Sequence, residues 1–191
     1  MNNTNASAKT LAKISSFLRE VSLLRLEQHA GIKPIEVIEM VPNKKVLGKF
    51  MALIMIVGDE FRLTLQAHYQ INQMQEIFSD KFKNFEASLG LEDYHDLMRE
   101  YCNLCAGMIK NSLLQQNQNC TITLPFVTQG FDQIFFLSRF DKKGIYDYWR
   151  LKKENGFINI SVFLDFNDEK TLEFFDQLDP KNSSQSSVEF L

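Results

Sequence analysis

Residues 46–69, VLGKFMALIMIVGDEFRLTLQAHY, hold two extended runs, Val46 to Val57 and Phe61 to Tyr69, separated by Gly58-Asp59-Glu60. A short glycine-containing break between two such runs predicts antiparallel neighbours joined by a tight turn. Just upstream, Pro34 forbids helical continuation, and IEVIEMV from Ile35 alternates apolar and polar side chains as a half-buried strand does. Before that, Leu11, Ile14, Phe17, Leu18, Val21, Leu24 and Leu26 follow a helical period, with Ser7 as N-cap and an end near Gly31. Downstream, Asn72 to Ala87 returns to a helical period with Met74, Ile77, Phe78, Phe82 and Phe85 on one side, closed by Gly90, and Glu92 to about Gln116 predicts a longer helix.

Strand candidates then follow at Cys120 to Leu124, Ile134 to Phe140, Tyr146 to Lys152 and Phe157 to Phe166. The last two flank Glu154-Asn155-Gly156, and Asn-Gly is a strong signal for a tight hairpin. A final helix is expected over Asn167 to Leu178. Residues 180–191, rich in serine, asparagine and glutamine, have the composition of a mobile tail. This order predicts one α+β domain over residues 1–179, with helices packed on an antiparallel or mixed sheet.

Composition narrows the function classes. With 191 residues, 45% apolar and 24% charged, the chain is long enough for one sizeable core. A net charge of -3, a pI near 5.7 and scattered lysines and arginines offer no basic stripe for a phosphate backbone, which argues against nucleic acid. The longest apolar run, Phe50 to Val57, is too short to cross a bilayer, and MNNTNASAK lacks a signal-peptide core, so a cytoplasmic protein without membrane insertion is expected. Three cysteines do not make an even disulfide framework. Cys102 and Cys105 form a CxxC, but no second pair follows and His29, His68 and His95 are dispersed, so neither metal nor a cofactor of its own is expected. The 17 phenylalanines read as packing, and Trp149 as core, with an interface anchor as the alternative.

Chemistry is concentrated on the helix LEDYHDLMREYCNLCAGMIKNSLLQQ, residues 91–116. At about 100° per residue, Leu97, Tyr101, Leu104, Cys105 and Met108 share the core side, while Asp96, Glu100, Asn103 and Gly107 line the other. Spacings of three and four place these side chains on adjacent turns. An acidic and amide-bearing face is usually only a solvated one. Gly107, however, costs about 1 kcal/mol in a helix interior relative to alanine, and a smooth patch for a close-approaching backbone would account for it.

The series Asp96-x3-Glu100-x2-Asn103, followed by Pro125 in ITLPFVTQG, resembles the signature of the CheC, CheX and FliY chemotaxis phosphatases. Gly107 in NLCAGMIKNSL and Gly130 after the proline resemble it too. The likeness covers about Leu11 to Gly130, and one motif copy is closer to CheX than to CheC. The resemblance implies a CheC-like fold and a phosphatase acting on the phosphoaspartate of a CheY-type response regulator, whose own Mg2+ neutralises the phosphoryl group. It implies that Asn103 orients the attacking water, that Glu100 holds the docked regulator, and that Asp96 and Gly107 belong to the same docking surface. Pro125 would fix the backbone after its strand. CheX-like relatives imply a homodimer. Two other readings stay open: a non-catalytic module that docks a regulator or a flagellar-switch component, and a dimeric scaffold using a free sheet edge.

Overall fold

A computed structural model describes residues 3–31, 35–40, 48–82, 89–129, 144–168, 171–175 and 177–179, with side chains from residue 9 onward. Helix α1 (Asn3–Ala30) leads into β1 (Glu36–Glu39), then the hairpin β2 (Phe50–Gly58) and β3 (Phe61–Tyr69). Two helices follow, α2 (Ile71–Phe82) and α3 (Leu91–Gln115), then β4 (Cys120–Ile122), β5 (Phe126–Gln129), β6 (Gly144–Lys153), β7 (Gly156–Phe166) and the single turn α4 (Leu172–Phe175).

All described strand pairings are antiparallel, in the order β1-β6-β7-β3-β2-β4, with β5 also beside β2. The two local hairpins, β2–β3 and β6–β7, meet through β3 and β7, so the longest strands form the middle of the sheet. Because strand side chains alternate, one face of β2, β3 and β7 is wholly apolar. It carries Ile54, Leu65 and Ile160, none more than 2% exposed. Helices α2 and α3 pack on this face, and α1 packs against α3 and the neighbouring β6, burying Ile14, Phe17, Leu18 and Val21. The architecture is α+β, helices on an antiparallel sheet, as the sequence predicts.

The opposite face is mixed. Ser161 Oγ donates to Gln66 Oε1 at 2.8 Å and lies 3.0 Å from His68 Nε2, all three side chains being buried. Burial lowers the pKa of His68 to about 4, so its ring stays neutral near pH 7.

Several sequence expectations are corrected. Ser7 lies inside α1 rather than capping it, since the helix already runs from Asn3. Gly90 does not close α2; its backbone is extended and it serves as N-cap of α3. The β6–β7 turn falls on Glu154-Asn155, one residue before the Asn-Gly pair, with Glu154 at φ 50° and Lys153 paired to Gly156. The reason is packing: a Cβ on Gly156 would sit 2.8 Å from the Gln73 carbonyl oxygen of α2, so this glycine serves helix contact instead of the turn. Strand β5 was not expected, and of the predicted final helix, Asn167 to Leu178, the described α-helical residues are those of α4, with residues 169–170 and 176 outside the described ones. The Ile134 to Phe140 strand, Gly130, residues 46–47 and 83–88 of predicted elements, and the tail from residue 180 lie outside the described residues.

Candidate functional site

Helix α3 begins where Asp93 Oδ2 accepts the Gly90 backbone N–H at 2.7 Å, and Glu92 and Asp93 place negative charge at the positive end of the helix dipole. It ends at Asn117, whose φ of 56° lets the Gln116, Asn117 and Gln118 amides bond back to the carbonyls of Leu113 and Leu114. Between these ends the helix packs on β2, β3, β4 and β5 and against α1.

Its inner face is held by buried hydrogen bonds as well as by packing. Tyr101 Oη donates to the Ser22 carbonyl of α1 at 3.1 Å, and Trp149 Nε1 of β6 donates to Ser22 Oγ at 2.8 Å. Ser22 Oγ in turn donates to the Arg19 carbonyl at 2.7 Å. Nearly two turns toward the N-terminus, His95 Nδ1 lies 2.7 Å from Tyr69 Oη, and the Phe50 ring meets the His95 ring edge-on. Residues 95 and 101 are therefore fixed from behind, and whatever lies opposite them is carried on a rigid element.

The outer face carries Asp96, Glu100 and Asn103, all exposed, then Gly107. The structure thus brings four of the sequence-predicted residues into one stripe. They differ in state. Asp96 is engaged, because Arg99 donates to its Oδ1, and the Arg99 guanidinium also lies 4.0 Å from Glu92. Glu100 and Asn103 make no side-chain hydrogen bond or ion pair with any described residue. A Cβ built on Gly107 meets nothing within 4 Å, which leaves bare backbone at the surface. Arg99 was overlooked in the sequence, although it stands three residues after Asp96 and four before Asn103, the spacing that puts it on this stripe.

Pro125 stands apart from the stripe on the neighbouring sheet edge. Ile56 pairs with Ile122 and Leu53 with Phe126, so three residues, Thr123, Leu124 and Pro125, face only Met55 and Ile54 of β2. This is a β-bulge. Thr123 satisfies Met55 on both sides: its N–H donates to the Met55 carbonyl and its Oγ1 accepts the Met55 N–H, each at 3.0 Å. Pro125, lacking an N–H, separates β4 from β5 without leaving a donor unpaired.

Both cysteines of the CxxC are free and buried. Burial is the main cause raising both thiol pKa values, Cys105 to about 12 and Cys102 well above its ordinary value, which keeps them protonated and unreactive. Among the described residues no group of three or more His, Cys, Asp or Glu side chains is placed to hold a metal ion, and no helix is long and apolar enough to cross a membrane.

No protein-family model matches the sequence, and no curated protein matches it significantly. Solved structures do. A CheC-like superfamily protein from Shewanella sp. PV-4 superposes with a TM-score of 0.59 at 15% identity, over 80% of this chain and 97% of that one. The chain has the CheC-like fold. The chemotaxis protein CheX of Desulfovibrio desulfuricans shares it at a TM-score of 0.57 and 16% identity, over 80% of this chain and 99% of that one. So does the protein solved in a CheX-CheY-BeF3-Mg2+ complex from Borrelia burgdorferi, with a TM-score of 0.57 and 15% identity over 80% and 97% of the two chains. At such identities the CheC-like fold is what is shared, and the outer stripe of α3 is a property of this chain's own residues.

Proposed function

We propose that this protein docks a phosphorylated CheY-type response regulator on the outer face of α3 and promotes hydrolysis of its phosphoaspartate. One observation carries the reading: Glu100 and Asn103 stand one turn apart, exposed and without partners among the described residues, on a helix pinned from behind. A CheC-like fold neighbour solved as a CheX-CheY-BeF3-Mg2+ complex supports the choice of partner.

In such a complex the regulator's own Mg2+ supplies the charge neutralisation of the phosphoryl group, and this chain needs to contribute only position. The Asn103 carboxamide offers an acceptor and two donors, so it orients a water in line with the scissile P–O bond. Attack on phosphorus then releases inorganic phosphate and returns the regulator's aspartate as a carboxylate. Glu100 pairs with a lysine of the docked regulator, a charge-assisted contact that fixes register. Asp96, held by Arg99, keeps that side of the stripe in shape, and bare Gly107 lets the partner's backbone approach.

The test is the decay of a phosphorylated CheY-type regulator from the same cell, with magnesium, alone and with this protein. Acceleration by the parent, lowered about a hundredfold in a folded Asn103→Ala variant, is the expected result. Glu100→Ala should weaken regulator binding at least tenfold. Binding without any acceleration by the parent would assign a docking module instead, and absence of both would remove the reading.

A further inference from the structure

Helix α3 carries four carboxylates, Glu92, Asp93, Asp96 and Glu100, and the structure accounts for three of them. Asp93 Oδ2 accepts the Gly90 N–H and is committed to the helix start. Asp96 accepts from Arg99, whose guanidinium also lies 4.0 Å from Glu92. Glu92 stands in the first turn besides, where the positive end of the helix dipole compensates it further. Glu100 is left with no side-chain partner among the described residues. Arg99 is poorly placed to serve it, because successive residues on a helix do not face each other.

Glu92, Asp96 and Glu100 are spaced four apart, so they stand nearly in line along the outer stripe, about 6 Å from one to the next. The Glu92 and Asp96 side chains are 78% and 72% exposed, and Glu100 is exposed as well. To a partner's cation this line offers three registers, and one suits the chemistry. Glu100 comes three residues before Asn103, about 4.5 Å along the axis. A lysine held at Asp96 instead would shift the phosphoryl group by about 6 Å, and at Glu92 by about 12 Å. A misplacement of about 1 Å is already enough to slow a positioned reaction severely. An exposed ion pair adds little to stability; what this one changes is which carboxylates a docking cation meets unpaired.

We infer that Arg99 is a positioning residue that sets the register of docking: by pairing with Asp96 and standing beside Glu92 it screens the two carboxylates that would seat the partner off the mark, and leaves Glu100 as the carboxylate of α3 without a described partner. This rests on the docking reading above and adds to it how one of three similar anions is selected. Arg99 acts on neither the water nor the phosphoryl group. Its guanidinium repels a cation approaching the N-terminal part of the stripe, so its effect is to exclude complexes that bind and do not react.

The experiment measures phosphate release from a CheY-type regulator of the same cell, kept phosphorylated by a small-molecule phosphodonor with magnesium, over a range of regulator concentrations. Parent, Arg99→Gln, Arg99→Lys and the triple variant Glu92→Gln/Asp96→Asn/Arg99→Gln are compared, each checked for a parental circular dichroism spectrum. Complexes that bind without reacting lower kcat and KM together, because kcat/KM compares the transition state with free protein and free regulator. With three registers equally open, Arg99→Gln should lower both constants by about threefold, with kcat/KM no lower than in the parent. The triple variant, which neutralises the two competing carboxylates, should restore kcat. Arg99→Lys, which keeps a cation three residues after Asp96, should lose less than Arg99→Gln. Parental constants in Arg99→Gln, a fall in its kcat/KM, or a triple variant no better than the single one would overturn the inference and leave the phosphatase reading standing. A parent that does not accelerate phosphate release would overturn both.

Discussion

Ser22 does more than a small buried hydroxyl usually does. Its carbonyl accepts from Tyr101 and its Oγ accepts from Trp149, so one residue of α1 links the catalytic-candidate helix to the far hairpin. Replacing it with alanine would leave the Trp149 indole N–H buried without an acceptor, at a cost of about 1–3 kcal/mol. Urea unfolding followed through Trp149, the sole tryptophan, measures this directly. A loss under about 0.5 kcal/mol, the range of featureless surface changes, would show that the indole finds another partner. A Trp149→Phe background should remove much of the Ser22→Ala penalty, because no orphaned donor remains. At this scale the site was largely legible: helical spacing alone puts Asp96, Glu100 and Asn103 on one side. That Asp96 is occupied was not, because the choice of Arg99 for Asp96 is made by rotamers, which a spacing rule does not specify.

Among elements, the two glycines of interest behave in opposite ways. Gly107 faces open space, so Gly107→Ala should stabilise α3 by up to about 1 kcal/mol through helix propensity alone. Gly156 faces the Gln73 carbonyl and Glu76 Cβ of α2 at 2.8 Å, so Gly156→Ala should destabilise by about 1–3 kcal/mol as β7 and α2 are pushed apart. Thermal unfolding of both variants checks the pair, and equal shifts of the same sign would refute the packing argument. The same contact explains why the hairpin turn was misplaced by one residue: Asn-Gly favours a turn locally, but the glycine is claimed by a helix distant in sequence. Gly90 was misassigned because a glycine between two helical periods suits the end of one as well as the start of the next, and only the Asp93 carboxylate decides. Strand β5 follows a proline and is four residues long, so nothing local marks it; its partner is β2, more than a helix pair away. The bulge was illegible for a related reason, since it exists only as a mismatch between two registers on β2.

For the molecule as a whole, the α+β class and the helix-over-sheet arrangement could be read from element order, whereas the strand order could not, because β1 joins the sheet beside β6, at the opposite end of the chain. Glu36 lies opposite Lys152 and Glu39 opposite Trp149, and the only described strand neighbour of β1 is β6. That pairing imposes an order of assembly. The β2–β3 and β6–β7 hairpins close over short loops and pair at little entropic cost, while β1 must wait for almost the whole domain to be present. During synthesis, β1 emerges early and stays unpaired until β6 has left the ribosome, so the first described strand made is among the last to dock. In native-state hydrogen exchange the amides of β1 should therefore open at lower free energy than those of β3 and β7, and equal protection across the three strands would refute this order.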